Sequence, residues 1–170
     1  MKLQSALDKR HSIRSFEKKK VPKSVIKKLV ANATKAPSAC NRQPWIFYCV
    51  DSKKKRDEVS ELLYNIYMKF HFNSSEKVGN LKKISDEFYK DMGGAQNIIF
   101  VFRKKGKKEA EYVKPNDIAS IYCAVENIIL SAVSKGLGSC CVGTFGGGEN
   151  GKKLRKVLGI GNDEELISAL

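Results

Sequence analysis

The sequence has no paired cysteine spacing. Cys40, Cys49, Cys123, Cys140 and Cys141 form an odd set without a CxxC pair. Disulfide frameworks in short secreted chains come in even sets, and zinc sites need paired ligand spacings. Histidine is scarce as well, with only His11 and His71 to complete a site. Free thiols in a reducing cytoplasm, and no metal, are therefore expected. No uninterrupted apolar run reaches the ~20 residues that span a bilayer. The stretch MKLQSALDKRHS is too polar for the apolar core of a signal peptide. A soluble, unsecreted protein with no membrane partner follows. GK[ST] does not occur, which excludes the P-loop. Arginine is rare too. Lys and Arg together number 32 against 18 Asp and Glu, a net charge of +14, yet only six are Arg. That charge invites a nucleic-acid partner, because phosphate neutralisation drives non-specific binding. Lys, however, is a hydrated point charge, whereas Arg carries the fork used in base and phosphate readout. The runs Lys18–Lys20, Lys53–Arg56 and Arg103–Lys105 fall beside expected element ends and read as solvated loops. No specific nucleic acid is expected.

What is present suffices for one domain over residues 1–170. With 170 residues and 42% hydrophobic composition, a real core is available. A short helix is expected over 1–9. Val25, Ile26, Leu29, Val30 and Ala33 share one helical face behind Pro22, which suits a first turn. Ala36-Pro37 ends that helix, because the residue before proline is pushed out of the α region. Residues 45–50 and 97–102 read as buried strands, the latter closed by a basic turn at 103–108. Helices are expected over 54–70, near 81–91, from about 116 to 135, and near 150–158. The 116–135 helix is nearly apolar, ends at a natural C-cap, Gly136, and needs cover from a core or a subunit interface. A short strand over 137–143 and a last strand beginning near 166 complete an α+β pattern without repeats.

Three clusters carry possible chemistry. Arg10, Ser12 and Arg14 alternate, so in an extended segment all three point the same way, suiting one phosphate. His11 lies among them. The loop Ala36–Trp45 brackets Ser38, Asn41 and Gln43 between prolines, on a connection held by rigid elements. Gly136-Leu137-Gly138 and Gly143 through Gly148 let backbone approach a ligand. Taken singly, the first reads as a basic loop, the second as a self-satisfied loop and the third as a flexible turn.

Taken together, His11-Ser12-Ile13-Arg14-Ser15-Phe16, Ala36 through Trp45, Gly136 through Thr144, and Leu154 through Ile160 resemble the nitroreductase family of FMN-dependent oxidoreductases. The resemblance implies an α+β sandwich with a central, mainly antiparallel sheet flanked by helices, working as an intimate homodimer. It implies FMN as cofactor and NAD(P)H as hydride donor. The acceptor would be a nitroaromatic, a quinone or a similar small molecule, reduced by a ping-pong mechanism. Arg10, His11, Ser12 and Arg14 would hold the phosphate and ribityl chain. Pro37, Ser38, Ala39 and Asn41 would reach that flavin from the other subunit. Backbone at Val142, Gly143 and Thr144 would lie against the ring, and the apolar helix would form the dimer core. No side-chain acid or base is implied, and Cys141 is expected to be a packing residue. Family members continue beyond the position of Leu170 into an arm that crosses to the partner, so Arg10 and Arg14 are expected to carry the phosphate. A non-catalytic flavin-binding protein and a basic nucleic-acid-binding domain are the alternatives.

Overall fold

A computed structural model describes residues 2–72, 79–143 and 148–170. In chain order the elements are α1 (Leu3–Lys9), α2 (Lys23–Ala33), β1 (Trp45–Val50), α3 (Lys53–Phe72) and α4 (Gly79–Asp91). They continue with β2 (Ile98–Lys104), α5 (Val113–Ser134), α6 (Gly148–Leu158) and β3 (Glu164–Ala169). The strands lie in the order β1-β2-β3, and both pairings are antiparallel. The expected short strand over 137–143 is reduced to two single-residue bridges. Val142 pairs antiparallel with Ala169, and Ser139 pairs parallel with Ser12.

β2 sits at the centre and is covered on both faces, which is why its 98–102 stretch is an unbroken apolar run rather than an alternation. Strand period sends Ile98, Phe100 and Phe102 to one side, where they meet Val59 and Leu63 of α3, Phe88 of α4 and Leu154 of α6. Ile99 and Val101 point the other way, onto Ile26 and Leu29 of α2 and Ile121, Val125 and Ile128 of α5. Each fully buried side chain of this kind contributes about 1.5–3 kcal/mol relative to exposure. The result is the expected sandwich, a mainly antiparallel sheet between two helical layers.

α5 begins three residues before its expected start. By length and composition it could cross a bilayer, but 44% of its most apolar stretch is buried in the fold. Its Ile121, Ala124, Val125, Ile128 and Ala132 face the core, as expected of a core helix. The helix is nearly apolar, as expected, but not without polar members. Asp117 and Ser120 are buried, and Ala119, Tyr122, Cys123 and Glu126 are exposed. Gly136 follows it as expected, and Leu137 N–H donates to the Ala132 carbonyl at 3.0 Å.

In two of the three basic runs one arginine departs from the solvated reading, while Lys53, Lys54, Lys104 and Lys105 are exposed as read. Lys18–Lys20 are exposed, as read. Arg56 instead lies in α3, 8% exposed, donating to the Asp51 carbonyl and to Gln96 Oε1. Arg103 belongs to β2 and is 1% exposed. The same alternation that sends Ile99 and Val101 toward α5 sends Arg103 there as well.

Candidate functional site

The Arg10–Phe16 segment is extended and held at both ends. Ile13 N–H donates to the Ser139 carbonyl at 3.0 Å, and Phe16 N–H to the Gly93 carbonyl at 2.8 Å. Gly138 permits the first contact, since a Cβ there would lie 2.9 Å from Ile13 Cγ1. Arg10, at the C-cap of α1, His11, Ser12 and Arg14 are all exposed. His11 Nδ1 lies 3.0 Å from the Lys9 carbonyl, which can only accept, so Nδ1 is the donor.

Ser12 and Arg14 line a cavity of about 600 Å³, with Phe16 and Lys18 on the same wall. Glu87, Phe88 and Asp91 of α4 face them, and Gly93 and Gly94 also line it. That volume falls within the ~300–1,000 Å³ typical of small-molecule sites. Arg10 is not among its lining residues.

The Gly138–Gly143 segment runs beside this one. Val142 is buried, and its N–H and carbonyl are both taken by Ala169, at 2.8 and 3.2 Å. Ser168 Oγ donates to the same carbonyl at 3.2 Å. The Val142 peptide therefore belongs to the sheet, while Gly143 is exposed. Thr144 lies outside the described residues. Cys140 is the packed member of the cysteine pair, and burial pushes its thiol pKa up while Arg14 opposes that. Cys141, expected to pack, is exposed, with Sγ 3.2 Å from Ser168 Oγ. The strand alternation turns one cysteine in and the next out.

Pro37, Ser38, Ala39 and Asn41 occupy a strained loop. Cys40, Asn41 and Gln43 have φ of 50°, 52° and 46°, the left-handed region that non-glycine residues rarely adopt. Such residues cost on the order of 1–3 kcal/mol each and persist only where surrounding structure holds them. Here Ala39 N–H donates to Ser120 Oγ at 3.1 Å, and Gln43 N–H to Ser38 Oγ at 3.1 Å. Arg42 Nε and Nη2 reach the two carboxylate oxygens of Asp117 at 3.0 and 3.3 Å. Asp117 is fully buried and also accepts from Arg103 Nε at 3.0 Å. Arg103 further donates to Glu109 and to Glu165. Glu165 is its cross-strand neighbour on β3.

The Arg103 guanidinium and the Gly106 N–H hold the Glu109 carboxyl below the usual carboxylate range. A depressed folded-state pKa means that the unfolded chain takes up the proton first as pH falls. The stabilisation is present above the unfolded value of ~4.3 and is lost as pH drops through the lower folded value. Glu109→Gln is therefore expected to be less stable than the native chain at neutral pH, with the gap closing on acidification below pH ~4. Urea titrations at the two pH values measure it, and a gap independent of pH would show that Glu109 acts without its charge.

The chain thus brings the first and third sequence clusters together through Ser12–Ser139. It does not bring in the second: among the described residues no hydrogen bond or ion pair links the 37–43 loop to the 10–14 segment. Arg42, Asp117, Arg103, Glu87, Asp91 and Gly93 were missed as site-related residues. A signal existed for two of them, since Arg103 keeps the period of Ile99 and Val101, and Asp117 is an acid in a nearly apolar helix.

The sheet order, the two helical layers and the pinned Arg-Ser-Arg segment define a nitroreductase-like α+β fold. The model of the nitroreductase family matches residues 7–170, and the chain belongs to that family. It is similar to an iodotyrosine deiodinase of Thermotoga neapolitana, 30% identical over 139 residues, covering 77% of this chain and 68% of that protein. An iodotyrosine deiodinase of Hydra vulgaris is 26% identical over 179 aligned positions. That match covers 97% of this chain but 62% of the Hydra protein, so the chain spans less than two thirds of that relative's length. Among solved structures, the FMN and NADPH-dependent nitroreductase NfnB from sphigopyxis sp. strain HMH superposes with a TM-score of 0.77. At 18% identity, covering 99% of this chain and 86% of that one, it is a likeness of fold.

Proposed function

We propose that this chain is an FMN-dependent oxidoreductase that takes a hydride from NAD(P)H and delivers it to a small-molecule acceptor. The observation that carries the reading is one extended segment, pinned between Ser139 and Gly93, that sets Ser12 and Arg14 on the wall of a cavity of about 600 Å³ with Arg10 close by in sequence. Two guanidiniums and the Ser12 hydroxyl offer the donors a phosphate monoester needs, set across the cavity from the carboxylates of Glu87 and Asp91. The one GxGxxG spacing, Gly146 to Gly151, is followed by β3, which pairs antiparallel with β2 and so builds no parallel βαβ unit, and this favours FMN over FAD.

Arg10, His11, Ser12 and Arg14 would bind the phosphate and ribityl chain. Val142, Gly143 and Thr144 would lie along the ring. With the Val142 peptide occupied by Ala169, the free backbone donor of the described pair is Gly143. Pro37, Ser38, Ala39 and Asn41 would serve the second site of a homodimer. The exposed Leu3, Leu7 and Tyr122, on α1 and α5, which pack together, support such a face. The flavin, when bound, supplies hydride acceptance and donation, and the protein binds, orients and shields. Donor and acceptor would use one open face in turn, giving ping-pong kinetics. The likeness to deiodinases adds iodinated phenols to nitroaromatics and quinones as acceptor classes to assay.

Reconstitution with FMN should give a yellow protein that NAD(P)H bleaches anaerobically and an acceptor recolours. Arg14→Ala should weaken FMN about ten-fold or more, because hydrogen bonds to charged groups contribute roughly 1.5–3 kcal/mol. Riboflavin, lacking the phosphate, should bind weakly and be nearly indifferent to the change. A protein that stays colourless sinks the proposal. Equal losses of FMN and riboflavin would show that Arg14 supports the fold instead.

A further inference from the structure

We infer that Arg42 is a positioning residue: its bidentate hold on buried Asp117 keeps the Ser38–Gln43 loop in its left-handed conformation, ready for flavin. This rests on the function proposed above. Three of the four residues from Cys40 to Gln43 have positive φ, and Arg42, with φ −68° and ψ −28°, is the exception among them. The loop's other side-chain bonds are local or weaker anchors. Gln43 donates to Asn41 and to Ser38, both within the loop, and Ala39 leans on one hydroxyl, Ser120 Oγ. Asp117 and Ser120 are three residues apart, so they share one face of α5 and hang the loop from it.

Asp117 is itself immobilised by Arg103 in the central strand. The tether therefore runs from an exposed loop to the middle of the sheet through fully buried atoms. Without it, the strained residues are free to relax to ordinary backbone conformations, and the apoprotein spreads over several loop states. A ligand that needs one of those states then binds more weakly in proportion to its remaining population. Arg42 need not touch the flavin for this to operate. Its side chain is 41% exposed, and Asp117 keeps Arg103 when Arg42 is removed, so global stability should change little.

The test compares native protein, Arg42→Ala and Arg42→Lys, in three measurements: FMN and riboflavin affinity, thermal unfolding of the apoprotein, and protease cleavage within 38–43. Arg42→Ala is expected to weaken FMN and riboflavin alike, by about ten-fold, as for a loop whose competent state falls to a tenth. Cleavage should accelerate while the unfolding temperature stays near native. Arg42→Lys should recover part of the affinity, since a point charge replaces one arm of a fork. Unchanged affinity in Arg42→Ala overturns the inference. So does a loss confined to FMN, which would make Arg42 a phosphate ligand, or a loss matched by a large drop in unfolding temperature. If the native protein binds no flavin, the proposed function fails and takes this inference with it. If the native protein binds and Arg42→Ala is unaffected, only the inference fails.

Discussion

Arg103→Ala is expected to lose about 3–5 kcal/mol of stability, the usual cost of removing one partner of a buried charge pair. At roughly 2–4 °C per kcal/mol for a chain of this size, unfolding should fall by about 6–20 °C. Arg103 is the largest fully buried side chain among the described residues and donates to Asp117, Glu109 and Glu165 together. Burial works against its charge, but Glu109 and Asp117 outweigh that and raise its pKa. Truncation leaves Asp117, fully buried, with half-exposed Arg42 as its remaining ion-pair partner, and opens a cavity beside Val101. A second variant separates the two losses. Arg103→Met combined with Asp117→Leu removes both charges and keeps most of the volume, so stability should return toward the native value. Flavin affinity should not return, because Arg42 has lost its anchor. Urea unfolding at pH 7 decides the matter, and a loss below ~1 kcal/mol for Arg103→Ala would reduce the network to the standing of a surface pair.

The layered fold was readable because its signals are local and periodic. The apolar run at 98–102 and the helical face of Val25, Ile26, Leu29 and Ala33 each state their own burial. Arg103 was misread because a charge run was weighed by composition instead of by its place in the alternation; the period of Ile99 and Val101 already pointed it inward. Arg56 failed for a related reason, since its partners Asp51 and Gln96 are set by tertiary packing. Site residues divide the same way. Arg10, Ser12 and Arg14 are legible as a donor set, and Gly136–Gly143 as close-approach backbone. That Ser12 meets Ser139 is a pairing across more than a hundred residues, which no window of sequence contains. The opposite wall of the cavity, Glu87 and Asp91, lies on the helix expected near 81–91, but that this helix faces the 10–14 segment is a tertiary pairing that no local period states.

Gly93 is where that long-range assembly is most exposed to a single methyl group. Met92, Gly93 and Gly94 form a turn of successive positive φ, 56°, 65° and 77°, at the end of α4. The Gly93 carbonyl accepts from Phe16 N–H, which fixes the chain just after Arg14. A Cβ on Gly93 would overlap the Arg14 carbonyl oxygen and lie 2.9 Å from its carbon, with Phe88 Cδ2 at 3.2 Å. The close neighbours are backbone, so no flexible side-chain end can give way. Alanine at positive φ is disfavoured by about 1 kcal/mol, and overpacking adds typically 1–3 kcal/mol, so Gly93→Ala should cost about 2–4 kcal/mol. Relief requires the 14–16 segment to move away from the turn, which carries the Arg14 side chain off the cavity wall. FMN affinity should therefore fall at least as far as in Arg14→Ala, and, unlike there, riboflavin affinity should fall with it because the wall itself moves. Gly94→Ala is the comparison: its positive φ is similar, but its nearest contact is an ordinary 3.4 Å, from the Phe16 carbonyl. Calorimetry and flavin titration of the two variants should place Gly93→Ala well below Gly94→Ala in both. Equal behaviour would mean that backbone conformation alone sets the cost, and that the Arg14 segment is not clamped by Gly93.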